Sequence, residues 1–450
     1  MKIGVTAITL VLAVSVVLIA SSSQSSIYSV YVVTGGRILS ATYTIRTNGT
    51  HYWATRYDGR LLWLSTDASH VINSAIMNDT SIYIAEGTYN IPSHIDITEK
   101  NDILFTGSGF STILNGTRGQ HGILIRDSSN ITLSNLAITN AGSNYTRWAI
   151  EIEASTDVFF DNVRSFKNFE SGFRVGWNPE MVSGSANSKR IHFINCISEW
   201  SNSTGASPRY GDGFDVYHAE DVTIIGCSSR YNENVGIGIY DSVDVRVQAS
   251  EIVGNCYDGI VAYNRSEVPS TNVQISGNSI HDNMRSGVVI GFGPPTDNSW
   301  AVINDNEVYS NLQRGVLLHG VNNCEISNNC IHDNGWEGIG VVRSSRNTVQ
   351  GNRIYLNQRN GVWIYGDIDV SSTYNLVENN TVTNNGKYGI REGVYADYNQ
   401  IIQNTALNNP SGNISTSGSH TIVRSNNTTF SIARALHYRR NPGLYDRPLS

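Results

Sequence analysis

The chain has 450 residues, a net charge of −7 and only 15% charged residues, below the roughly 25% of ordinary domains. Asparagine and glycine fill the difference, and no basic cluster stands out, which argues against a nucleic-acid partner. The five cysteines do not form a zinc pattern, and the eleven histidines are scattered without a ligand-spaced pair.

Residues 1–26 read as an export signal. Lys2 is their only charge, Ile3 to Ile19 is an apolar run, and Ala20-Ser21-Ser22 supplies small residues suited to cleavage. The remainder would face the outside, secreted or at the cell surface, and would touch a membrane only if this segment stays uncleaved. Eleven Asn-x-Ser/Thr sequons, including Asn48, Asn115, Asn144, Asn202 and Asn264, would allow glycosylation there. Residues 27–64 alternate apolar and polar positions and are broken by Asn48-Gly49 and Asp58-Gly59, which are hairpin signals. A small β-meander is expected. Ser65-Thr66-Asp67 then opens an amphipathic helix over 67–77, with Ala68, Val71, Ile72, Ala75 and Ile76 on one face.

From Tyr210 to Asn385 one phrase recurs, clearest in Asn334-Gly335-Trp336-Glu337-Gly338-Ile339-Gly340-Val341. Its glycines fall at 213, 236, 259, 287, 315, 338, 361 and 389, with gaps of 23 or 28 residues. Such a period marks a solenoid. Four residues before each glycine from Gly236 onward stands Asn232, Asn255, Asn283, Asn311, Asn334, Asn357 or Asn385. A second column reads Asn278, Asn306, Asn329, Asn352 and Asn380. Asparagine tolerates the left-handed backbone of a tight turn, and its amide can bond to the amide stacked on it. Between the columns lies an apolar residue, and after each glycine come two more spaced by one, which is strand spacing. Each coil therefore supplies about three short strands, and stacked coils pair in parallel about 4.8 Å apart. An all-β parallel β-helix is predicted over 65–430, with the 67–77 helix as its cap and a loose tail over 431–450. A solenoid's first coil needs such a cover. Register is expected to fade after Asn408, with a short closing helix from Phe430 to His437.

These repeats resemble the right-handed β-helix, pectin-lyase-like proteins with PbH1-type repeats, over roughly residues 67–430. Ile82-Tyr83-Ile84-Ala85-Glu86-Gly87-Thr88-Tyr89 is similar to the I-x-I-P-x-G-x-Y segment that opens such solenoids. The resemblance implies the fold, and a range of roles that includes lyases, hydrolases, epimerases and adhesins.

Interruptions of the repeat carry further information. Insertions near 176–189, 264–271, 292–298 and 367–373 all leave the solenoid after the glycine strand, and another lies near 200–210. Loops stacked on one corner make a wall, and loops on rigid scaffolds carry function. The strand beside that wall is expected to expose alternate residues. One column then holds Glu151, Arg174 and Asp215, and a second holds Tyr217, Tyr240 and Tyr263, with Trp363 and Tyr365 farther along. The aromatic faces suit sugar rings lying along the solenoid. The densest stretch is Tyr210-Gly211-Asp212-Gly213-Phe214-Asp215-Val216-Tyr217-His218. Asp215 and Glu151 would stand about 9.6 Å apart, two coils, with Arg174 between them holding both ionised. Alternatively Arg174 or His218 would abstract a proton α to a uronate carboxylate that a calcium ion on Asp212 and Asp215 neutralises. The stretch resembles the Tyr-Gly-Phe-Asp-Pro-His of mannuronan epimerases, with Asp212-Gly213 inserted and Val216-Tyr217 in place of proline. It lacks the paired aspartates and Gly-His-Gly of polygalacturonases.

The column partners Cys196 and Cys227 are close enough for a disulfide, and a buried thiol ladder is the other reading. The functional reading is a secreted protein that binds an extracellular, acidic polysaccharide or cell-surface glycan, with lyase, epimerase or hydrolase chemistry near Asp215. The rival is a non-catalytic surface or adhesion β-helix.

Overall fold

The structure, a computed structural model, describes residues 15–18, 30–34, 37–143, 147–176, 187–202, 211–263, 270–291 and 300–428. Most of the 1–26 export signal, most of the 176–189, 200–210 and 264–271 insertions, the 292–298 insertion and the 430–437 helix fall outside them. Within them the chain winds as a parallel β-helix. One face is a stack of thirteen parallel strands, from Ile95–Thr98 to Gly412–Ser415, and the strands of the remaining walls join in one continuous sheet. Among the described residues no helix is long and apolar enough to cross a membrane.

The expected meander is present, as Tyr43–Thr47, Tyr52–Arg56 and Leu61–Ser65 pair antiparallel. It is fused to the solenoid rather than separate, because Tyr43–Thr47 also pairs in parallel with Thr80–Ile84. The helix spans Ala68–Ala75, with the Asp67 carboxylate accepting the amides of Ser69 and His70 as N-cap. It buries Val71, Ile72 and Ala75 against the first coil.

The turns are held by stacked amides. Asn232 Nδ2 donates to Asn255 Oδ1, and the pattern repeats through Asn283, Asn311, Asn334, Asn357, Asn385 and Asn409 at 2.9–3.2 Å. The second column runs from Asn278 through Asn306, Asn329, Asn352, Asn380 and Asn404 to Asn426. Register thus persists well beyond Asn408. A third, shorter ladder joins Asn347, Asn375 and Asn399. Each ladder oxygen also accepts the backbone N–H of its neighbour, as Asn352 Oδ1 does from Asn329. The left-handed backbone falls one residue earlier than expected, on Asn328, Asp333 or Asn384 rather than on the ladder asparagine. The glycines answer to close approach. A Cβ on Gly315 would stand 2.5 Å from Ile331 Cγ2 and 2.7 Å from Gly338 O. Cys196 and Cys227 are buried free thiols that continue the second column, with Cys196 N–H donating to Cys227 Sγ at 3.4 Å.

Asn329→Ala would leave the Asn306 amide and the Ile303 carbonyl without their ladder partners. Unpaired buried groups cost about 1–3 kcal/mol each. Chemical denaturation should therefore show a loss of at least about 2 kcal/mol. A neutral result would mean that the ladder does not hold the coils.

Candidate active site

The thirteen-strand face places the predicted residues in register. Glu151 pairs with Arg174 and Arg174 with Asp215, while Tyr217 pairs with Tyr240 and Tyr240 with Tyr263. Gly340 pairs with Trp363, and Val342 with Tyr365, several coils on. The expectation that this column is exposed is not met. Glu151, Arg174 and Asp215 are 1%, 3% and 4% exposed, and Tyr217 and Tyr240 are buried as well.

Residues immediately before glycine-column positions help to cover them: His121 lies against Glu151, Trp148 against Arg174, and Val235 in the cluster of Tyr217 and Tyr240. Tyr217 and Tyr240 pack with Val235, Val261, Val289, Leu317 and Val342 as a second apolar core on the outer face of the sheet. The Tyr240 ring lies over Gly238, where a Cβ would stand 2.5 Å from it. These two tyrosines are packing residues and do not offer a flat face to a sugar. Tyr263 is half-buried, as are Trp363 and Tyr365, whose rings stack 4.0 Å apart.

The Arg174 guanidinium lies between the rings of Trp148 and Tyr217, at 5.1 and 4.8 Å, and pairs with Asp215 Oδ2. It does not hold Glu151 ionised. Glu151 instead places Oε2 2.9 Å from His121 Nδ1, which also accepts the Trp148 backbone N–H at 3.3 Å. Burial raises the Glu151 pKa well above the carboxylate range, and burial lowers that of His121 to about 3. The opposed shifts hold the proton shared by the pair on Glu151 rather than on His121. His218 has a left-handed backbone, stands 3.6 Å from Asp241 Oδ2 and is pushed below its ordinary pKa by burial, against the raising effect of Asp241 and with a smaller lowering by Arg174. It is a neutral imidazole at pH 7, the form of a base.

A calcium ion on Asp212 and Asp215 would meet carboxylates that already have protein partners. Asp212 Oδ1 accepts from Asn234 Nδ2 and the Val235 amide, and Asp215 faces a guanidinium, so the donor set does not fit a shared cation. Sequence reasoning missed His121 and Trp148. Their signal was position, since each stands two residues before the inward isoleucine of its strand. It also missed a second charged group on the same face, where Arg314 Nε lies 3.1 Å from buried Glu337 and Arg314 and Arg359 both lie over Trp336. Of the insertions, the described 367–373 segment holds Asp367 in an ion pair with Arg343.

Among the described residues, several buried polar atoms on three adjacent coils have no hydrogen-bond partner, including Glu151 Oε2, Trp148 Nε1, Arg174 Nε, Asp215 Oδ1 and His218 Nε2. Buried polar groups are ordinarily satisfied, so a cluster of exceptions marks a place where a ligand would complete them.

The model of the family described as Right handed beta helix region matches residues 181–301 and 295–429, together more than half of the chain. Among solved structures, the Azotobacter vinelandii mannuronan C-5 epimerase AlgE6 A-module is similar over 80% of this chain and 94% of its own, at 16% identity and a TM-score of 0.61. The AlgE4 A-module from the same organism is similar over 81% of this chain and 96% of its own, at 17% identity and a TM-score of 0.56. The N-terminal fragment of bacteriophage Phi29 gene product 12 is similar over 80% and 67%, at 16% identity and a TM-score of 0.66. At such identities the likeness is one of fold. No curated protein matches the chain.

Two outcomes check this geometry. Tyr240→Ala removes a buried ring, so it should cost about 3–5 kcal/mol in denaturant unfolding. Glu151 is protonated in the fold but ionises near 4.5 when unfolded. Its contribution is present in full below that pH and is lost as pH rises toward its raised folded value. Glu151→Gln should therefore melt with the parent at pH 4 and above it at pH 8. A gap that does not widen with pH would mean that Glu151 is not held neutral.

Proposed function

The chain belongs to the right-handed β-helix family, and from that premise we propose that it is an exported protein acting by acid–base chemistry on an acidic extracellular polysaccharide. The observation that carries this reading is the line of unsatisfied polar atoms on Trp148, Arg174, Asp215 and His218 beside the neutral carboxyl of Glu151. Two solved structures of similar fold, the AlgE6 and AlgE4 A-modules, are mannuronan epimerases by name.

In this reading Arg174 receives the uronate carboxylate, because its Nε is unpartnered while Asp215 and the two flanking rings hold the guanidinium in place. Neutral His218 takes the proton α to that carboxylate, and the carboxylate conjugated to the new carbanion is stabilised by Arg174. Glu151 then returns a proton to the opposite face, which inverts the centre. If the glycosidic oxygen leaves instead, Glu151 protonates it, which gives elimination. Half-buried Tyr263, Trp363 and Tyr365 would extend the glycan contact along the solenoid. A second reading, a non-catalytic surface β-helix, is favoured by the deep burial of Arg174 and Asp215, since a buried ion pair also serves as structure.

The protein should be incubated with acidic and neutral polysaccharides, with and without calcium. Unsaturated products, new reducing ends and C5 inversion by NMR would be followed. Glu151→Gln keeps shape and fold, and should lower turnover by about 10²-fold or more. Parental turnover in that variant would remove Glu151 from the mechanism. No turnover and no binding of any glycan by the parent would leave the non-catalytic reading in its place.

A further inference from the structure

A different wall of the solenoid carries a cluster unrelated to the column above. Glu307 and Cys330 are register partners on adjacent coils, and His332 lies two residues beyond Cys330, so all three project from one face. Their ligand atoms lie within 4.8 Å of one another, the only such trio of His, Cys and acidic groups among the described residues. We propose that this trio is a binding site for a divalent transition-metal ion, with zinc as the best-suited occupant.

The imidazole is held for the task. His332 stacks between Tyr309 and Tyr355, at 5.2 and 4.7 Å and nearly parallel to both. Its Nδ1 lies 2.9 Å from Asp333 Oδ2, the arrangement by which carboxylates orient metal-bound histidines, with Nε2 as the ligand atom. Nε2 faces Glu307 Oε1 at 3.4 Å, a pair that either a proton or a metal ion would join. In a tetrahedral zinc site with bonds of about 2.0–2.1 Å, nitrogen and oxygen ligands stand about 3.3–3.5 Å apart, so this edge is already in place. Cys330 is half-buried, its Sγ 3.8 Å from the Tyr355 hydroxyl, and supplies the soft ligand. Three protein ligands leave the fourth position to water.

The solenoid contains its own comparison. Two coils earlier, His281 has the same carboxylate neighbours, Asp282 on Nδ1 at 2.8 Å and Glu251 at 3.9 Å, but serine stands at 279 where the thiol would be. Only the Cys330 coil has the sulfur.

Cobalt(II) titration of the full-length, chelator-treated protein reads the site directly. The expected result is one equivalent bound, with tetrahedral d–d bands and a thiolate-to-cobalt charge-transfer band that zinc displaces. Cys330→Ser should abolish that band. His332→Phe keeps the stack but removes the ligand nitrogen, and should lose tight zinc binding while melting like the metal-free parent. Asp333→Asn should weaken zinc about 10–100-fold. The proposal falls if the parent shows no charge-transfer band, or if Cys330→Ser and His332→Phe bind zinc as tightly as the parent. Either result would mean that His332 and Glu307 are joined by a proton.

Discussion

The stack of coils from Asn232 to Asn426 depends on burying asparagine amides in its turns without leaving their hydrogen-bonding atoms unpaired. Asn329 shows how this is met: Nδ2 donates to Ile303 O, Ser327 O and Asn352 Oδ1, and Oδ1 accepts both the backbone and side-chain N–H of Asn306. Each bond alone contributes about 1 kcal/mol net. Their geometric effect is larger than their energy suggests, because a coil shifted by one residue would break the ladder bonds on both of its sides. The amides thus select a single register for the stack.

A fixed register turns sequence into columns, and columns bring together residues far apart in the chain. Glu151, Arg174 and Asp215 meet because each stands at the same offset from its inward strand residues. Glu307, Cys330 and His332 meet by the same rule on another wall. Neither group needs a specialised loop to assemble it, and the rigidity of the scaffold positions each group without further ordering cost.

The periodic glycines and asparagines made the solenoid and its strands readable in advance, and the local Ser65-Thr66-Asp67 signal did the same for the N-cap at Asp67. The burial of the outward column was not readable. It depends on Trp148, Val235 and their equivalents, which lie in turns and reach over the sheet by tertiary packing alone. For the same reason Arg174 could be placed beside Glu151 by register, yet its choice of Asp215 over Glu151 depended on the His121 ring lying against the latter. Histidines and cysteines scanned for ligand spacing along the chain look scattered. Cys330 and His332 acquire their third partner only across a coil, where sequence distance carries no information.

The completeness of the ladder also sharpens the meaning of its exceptions. Where the turns satisfy nearly every amide, the cost of leaving Arg174 Nε, Asp215 Oδ1 and Trp148 Nε1 unpaired stands out against the background. A purely structural ion pair on this face could have been closed by polar side chains from neighbouring rungs, as Arg164 and Arg230 close on Glu199 from either side. The Arg174 group has instead an aromatic wall on both faces of the guanidinium and unsatisfied edges. That combination fixes the orientation of a charge while keeping part of its hydrogen-bonding capacity unused, which is the physical requirement for recognising a planar anionic group such as a sugar carboxylate.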